Sequence, residues 1–147
     1  MNPSEQDRKR FFDAIDTSLR LSASRLASQP NDADAYYSQG VAYGLRANYR
    51  FLVTKSWIDA LRDATEARKA HQRALEINPN FHYSTAGMGM ACAWAGKPDE
   101  AIAHTEAALR LYPRDPLIFL RYVALAAAHF ARGRPEDALS WAQKSLQ

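Results

Sequence analysis

Apolar residues recur along this chain at helical spacing and almost nowhere alternate as they would in a strand. Ala101, Ala108, Leu109 and Leu111 fall on one side of a helix that begins near Pro98, and Ala, Leu and Arg dominate the stretches between breaks. The breaks are made by Gly and Pro. "GKPDEA" at Gly96–Ala101 is written again as "GRPEDA" at Gly133–Ala138, 37 positions later. Each hexapeptide reads as a corner between two helices. Gly ends the first helix in the left-handed conformation, Pro opens the second where its missing N–H costs nothing, and two acids face the positive helix end. Pro30, Pro79 and Pro113 are further stops, followed by Asn31, Asn80 and Asp115, which can cap the next helix. The pattern predicts an all-α protein.

Longer spacings repeat as well. Ala74 and Ala108, Pro79 and Pro113, and Gly89 and Val123 are each 34 residues apart, the period of tetratricopeptide helix pairs. The segment Asn80–Pro113 resembles a tetratricopeptide repeat. Met88 stands in the motif's leucine slot, Gly89 in its glycine slot and Gly96 at its turn, with Ala101 and Ala108 in the two small slots and Pro113 at the close. Thr85, Cys92 and Thr105 replace its Trp, first Tyr and second aromatic. In the preceding repeat Tyr36, Gly40, Tyr43, Ala67, Ala74 and Pro79 match, with Gln39 in the leucine slot; in the following one Phe119, Tyr122, Val123, Ala126, Gly133, Ala138 and Leu146 match. Residues 5–28, with Leu26 and Pro30 in register, are similar to a lone second helix. The resemblance covers nearly the whole chain. It implies a right-handed superhelix of antiparallel helix pairs with about seven helices, a single domain over residues 1–147 in which a lone helix 5–28 precedes repeats at about 31–79, 80–113 and 114–147. A hairpin of this kind exposes an apolar face that stacking buries.

Two repeats are longer than the period. Gly40 and Gly89 are 49 residues apart, which leaves fifteen extra residues within GLRANYRFLVTKSWIDALRDATEARK. They predict about two added turns on each helix of the first full repeat, projecting roughly 10 Å beyond the neighbours. Thr54, or Ser56 with Asp59 three residues on, is placed to cap the second helix. Tyr49, Phe51, Leu52, Val53, Trp57 and Ile58 of this extension are expected to pack on one another and on helix 5–28 rather than form an exposed tip. The 37-residue spacing of the corners predicts three extra residues in a helix over about 116–132.

Composition adds bounds. With 147 residues, 47% hydrophobic and 24% charged, the chain can bury the core of one soluble domain. Its formal charge of +3 and isoelectric point near 9.1 are mildly basic. Seven basic residues between Arg46 and Arg73 face three acids. Asp59 with Arg62, and Glu66 with Lys69 and Arg73, have the spacing of helix-surface ion pairs, so no nucleic-acid partner is expected. Cys92 is alone, which excludes an intrachain disulfide and fits a reducing, cytoplasmic setting. The start, MNPSEQDRKRFF, is charged where a signal peptide is apolar, and no run of about 18 apolar residues offers a membrane span. No membrane partner is expected.

Catalytic apparatus is not evident. His71, His82, His104 and His129 are too scattered for metal-ligand spacing and are each expected to be surface or half-buried helix residues. GMGMAC at Gly87–Cys92 lacks the third glycine and the preceding strand of a dinucleotide loop, and Cys92 falls in a repeat-core slot. No catalytic residue, cofactor or metal is expected, and the protein reads as a non-enzyme. The resemblance instead implies a concave binding surface made by the first helices: Tyr37, Val41 and Leu45, then Tyr83, Met90 and Trp94, then Leu117, Arg121 and Ala124. Relatives that grip a C-terminal carboxylate carry Lys and Asn where this chain has Tyr37 and Val41, which leaves Arg121 as the sole candidate anchor. Such an apolar, aromatic groove suits an amphipathic helix or extended hydrophobic segment of a partner protein. The alternative, that Met90 and Trp94 pack against helix 5–28 or another bulky neighbour, stays open. Leu139, Trp141, Ala142 and Leu146 near the end have nothing in the sequence to cover them, which implies a longer chain, a partner or a second copy. The run AIAHTEAALRLYPRDPLIFLRYVALAAAHFARGRPEDALSWAQKSL also resembles the repeat region behind the catalytic domain of bacterial adenylate cyclases and that of related winged-helix regulators, so a regulatory module is the alternative function. A small-ligand site or enzyme using Trp57, Trp94 or the histidines is a third reading.

Overall fold

A computed structural model describes residues 4–147; the first three residues of the charged start lie outside the described residues. Seven α-helices follow one another: α1 (Glu5–Ser28), α2 (Ala33–Tyr49), α3 (Trp57–Ile77), α4 (His82–Trp94), α5 (Pro98–Leu111), α6 (Ile118–Ala131) and α7 (Pro135–Lys144). There is no strand among the described residues. Each helix packs on the next, and α2 also meets α4 and α4 meets α6, so these three lie side by side in an all-α superhelical stack. No helix of the described residues is long and apolar enough to cross a membrane.

The two glycine corners share one geometry. Gly96 and Gly133 sit at φ +71° and +73°, and Lys97 N donates to the Cys92 carbonyl, and Arg134 N to that of His129, at 2.9 Å. The last turns of α4 and α6 are thereby satisfied. Pro98 and Pro135 open the next helices, with Asp99, Glu100, Glu136 and Asp137 in their first turns.

Capping departs from expectation elsewhere. Asp32, not Asn31, caps α2, accepting a hydrogen bond from Ala35 N at 2.9 Å. No side chain caps α4; Asn80 donates its own N–H to Asn78 Oδ1 at 3.2 Å. Asp115 closes the α5–α6 connection by accepting from Leu117 N at 2.9 Å. That turn also corrects the account of the 37-residue spacing. Two of the three extra residues lie in the connection between Pro113 and Ile118, and one lengthens α6 to 14 residues against 13 in α4.

The long hairpin is built differently at its apex than the sequence suggested. Beyond Tyr49 the helix widens into a π-helical turn over Arg50–Thr54, Lys55 takes the left-handed conformation at φ +56°, and Ser56 N donates to the Arg50 carbonyl at 2.9 Å. Neither proposed cap of α3 forms. Thr54 Oγ1 donates back to the Arg50 carbonyl at 3.2 Å, and Ser56 makes no side-chain cap. Measured from the equivalent small residues, this hairpin outruns α4 and α5 by nine and seven residues, roughly 10 to 13 Å.

Packing at the base of the apex follows expectation in part. Phe11 and Phe12 of α1 meet Tyr49 at 5.0 and 5.3 Å, and Phe51 lies on Trp57 at 4.7 Å. Leu52, Val53, Trp57 and Ile58, however, stand exposed, Ile58 at 79%. The hairpin projects past α4, so no neighbour is there to cover them. Beneath, Asp63 is buried and takes Arg46 at 2.9 and 3.0 Å and Arg50 at 2.7 Å. The surface pairs Asp59–Arg62 and Glu66–Lys69 form at 3.4 and 2.8 Å, while Arg73 turns to Glu76 at 2.9 Å instead of Glu66.

The core is made mostly of small residues. Met88, Cys92, Ala101 and Ala128 form its buried centre, and a Cβ added at Gly89 would overlap Thr105 Oγ1. Small side chains let the helix backbones approach closely.

Candidate functional site

Helical periodicity brings most of the predicted groove residues together. On α2, Tyr37, Val41 and Leu45 recur every four residues; on α4, Tyr83, Met90 and Trp94 do so at seven and four. With Leu117 and Arg121 at the start of α6, these eight line one cavity of about 300 Å³. Ala124, the ninth, does not line it. It is buried at 1%, one turn beyond Arg121 on a part of α6 packed into the stack.

Sequence reasoning missed the floor. Asn48 of α2, Ala64, Ala67 and His71 of α3, and Gly87 of α4 also line the cavity. His71 is buried at 3% and His129 at 9%, neither at the surface nor half-buried as expected. The His71 ring is slotted between Gly40 and Gly87: a Cβ at Gly40 would stand 2.6 Å from Nε2, and one at Gly87 would overlap the ring as well. His71 precedes Thr105 by the 34-residue period, so it occupies the motif's second aromatic slot, and that was the signal available. Gly44 is different. A Cβ there meets nothing within 4 Å, although the residue lines the cavity.

The cavity is electrically quiet. Arg121 donates to Asp115 Oδ2 at 2.7 Å and both side chains are largely buried, so the candidate carboxylate anchor already holds a carboxylate. Burial pushes His71 down to about 4, which keeps the ring neutral at pH 7. Burial also raises Tyr37 above the usual phenol range. Asn48 Oδ1, His71 Nδ1 and Trp94 Nε1 are buried without a hydrogen-bond partner. One end of the cavity is aromatic, with Tyr37 5.9 Å from Tyr83 and 5.4 Å from Phe81. At the other end Trp94 rests on Phe51 at 4.6 Å rather than on α1, which meets only α2.

Elsewhere the titratable groups form no reactive set. Burial, with Glu100 adding to it, raises the Cys92 thiol to about 11, so the thiolate that nucleophilic or metal chemistry needs is scarce at pH 7. Among the described residues no three His, Cys, Asp or Glu side chains are grouped as metal ligands.

Comparison with known proteins bears on the second half of the chain. A tetratricopeptide repeat family model matches residues 81–147. No curated protein sequence matches the chain. Two crystal structures of MamA are similar: one at 19% identity, covering 99% of this chain and 95% of that one with a TM-score of 0.47; the other at 21%, covering 95% and 85% with a TM-score of 0.49. The likeness to cyclase-associated repeats finds no counterpart in these matches. From Phe81 onward, through both glycine corners and the helices they join, the chain is similar to the tetratricopeptide repeat model.

Proposed function

We propose that the chain is a non-catalytic protein-interaction scaffold, a single domain whose repeats at about 31–79, 80–113 and 114–147 follow the lone helix 5–28. Its working surface is the α2–α4–α6 face, which takes an apolar helix or extended segment of a partner protein. The observation that carries this reading is the convergence of eight predicted residues, from α2, α4 and the start of α6, on one cavity whose charged lining residue, Arg121, is already paired with Asp115. The pairing of Arg121 with Asp115 argues against a partner held by its C-terminal carboxylate. Exposed apolar residues of this kind mark binding surfaces.

Two variants test the groove. Tyr37→Ala with Trp94→Ala strips its walls, and Gly44→Gln fills it from a position where the added atoms meet open space. Affinity capture with mass spectrometry is expected to lose the same partner in both, with helicity unchanged by circular dichroism. A partner still retained by both variants removes the groove from the mechanism. Leu139 and Leu146 of the α7 region, 60% and 87% exposed, favour contact with a second copy as well. Light scattering should then show a mass that rises with concentration and stops rising in Leu139→Lys.

A further inference from the structure

We propose that the apex of the α2/α3 hairpin docks on an anionic lipid bilayer, a role separate from the groove. Leu52, Val53, Trp57, Ile58 and Leu61 are exposed together there, between 39% and 79%. Leu52, Val53 and Ile58 crown a convex corner that stands roughly 10 Å beyond α4 and α5, while Trp57 and Leu61 just below also edge a cavity of about 200 Å³ against Trp94. A folded partner needs a concave complement to cover such a corner, whereas a bilayer yields around it. Apolar side chains that enter the boundary between headgroups and acyl chains bind by the area they bury, supplemented by attraction between nearby cations and anionic lipid.

The charges around the apex have the required sign. α1 runs antiparallel to α2, and Phe11 stacks on Tyr49 while Phe12 meets it edge-on. The exposed run Arg8, Lys9 and Arg10 therefore lies about one turn further out, at the same end as Lys55 and Arg62. These five cations outnumber by one the carboxylates of Glu5, Asp7, Asp13 and Asp59, and with Arg62 paired to Asp59 the free excess lies on Arg8, Lys9, Arg10 and Lys55. Lys55 Nζ sits 5.7 Å over the Trp57 ring. An indole with a flexible cation above it is the pairing favoured at headgroup level, where the ring stays half wet and the ammonium reaches water. Surface attachment needs no membrane span, only this tip and its collar of basic residues.

Co-sedimentation with vesicles tests the idea directly. The chain is mixed with phosphatidylcholine vesicles and with vesicles in which a third of the lipid is phosphatidylglycerol. Binding is expected to the second kind and to weaken with added salt. Leu52→Glu with Ile58→Glu, and separately Lys9→Glu with Arg10→Glu, should each weaken it about ten-fold. Tyr37→Ala should leave it unchanged, which separates this surface from the groove. Brominated lipid should quench tryptophan emission, and Trp57→Phe should remove most of that quenching. No partition onto the anionic vesicles at low salt, partition indifferent to the Leu52 and Ile58 changes, or quenching that survives Trp57→Phe would each overturn the proposal.

Discussion

At the scale of single residues, two buried polar groups carry testable consequences. His71 is held neutral by burial, its folded value near 4 against 6.5 when free. Between those values the unfolded chain binds the proton and the folded chain does not, so stability rises with pH across that window. About 3 kcal/mol should be lost as pH falls from 6.5 to 4, read from urea midpoints, and His71→Leu should flatten that dependence. Asp63 poses the opposite problem, a buried carboxyl group bridged by Arg46 and Arg50. Asp63→Ala leaves two half-buried guanidinium groups facing each other and should cost about 3 kcal/mol in chemical denaturation. The sequence made neither group visible. Asp63 read as one more acid in a solvated basic face, and His71 as a scattered histidine, because burial depends on which helix crosses above. The walls were legible, since Tyr37, Val41, Tyr83 and Trp94 stand in the groove slots that the resemblance implies; the floor depends on the glycines of two other helices admitting a ring.

At the scale of elements, corners were easier to read than the interiors of long helices. "GKPDEA" and "GRPEDA" state their conformation in their letters, and both adopt it. The apex of the long hairpin has no such letters. Lys55 takes a left-handed conformation that suits glycine, and a side chain there costs about 1 kcal/mol. Lys55→Gly should therefore raise the thermal midpoint or leave it level, whereas Gly96→Ala should lower stability by about 1 kcal/mol. A fall on Lys55→Gly as large as that on Gly96→Ala would mean that the Lys55 side chain holds the turn. The π-helical turn before it went unforeseen because RFLVT has no breaker. Asp115 was foreseen as a cap but not as the turn that absorbs two of three extra residues, since spacing counts residues without saying which side of a helix start they fall on.

At the scale of the whole molecule, stability is distributed by neighbours. α1 meets only α2, and α7 only α6, whereas α4 meets α2, α3, α5 and α6. In such a stack the ends open at lower free energy than the middle. Amide hydrogen exchange should be fastest in α1 and α7 and slowest in α4, and uniform protection would mean that the stack melts only as a unit. The crowded position of α4 has a consequence for recognition. Gly87 and Gly89 leave no slack against His71 and Thr105, so even one methyl group added there must splay adjoining coils. The pitch of the spiral, and with it the gape of its mouth, can thus be retuned by mutation at Gly89, a site no visitor ever touches.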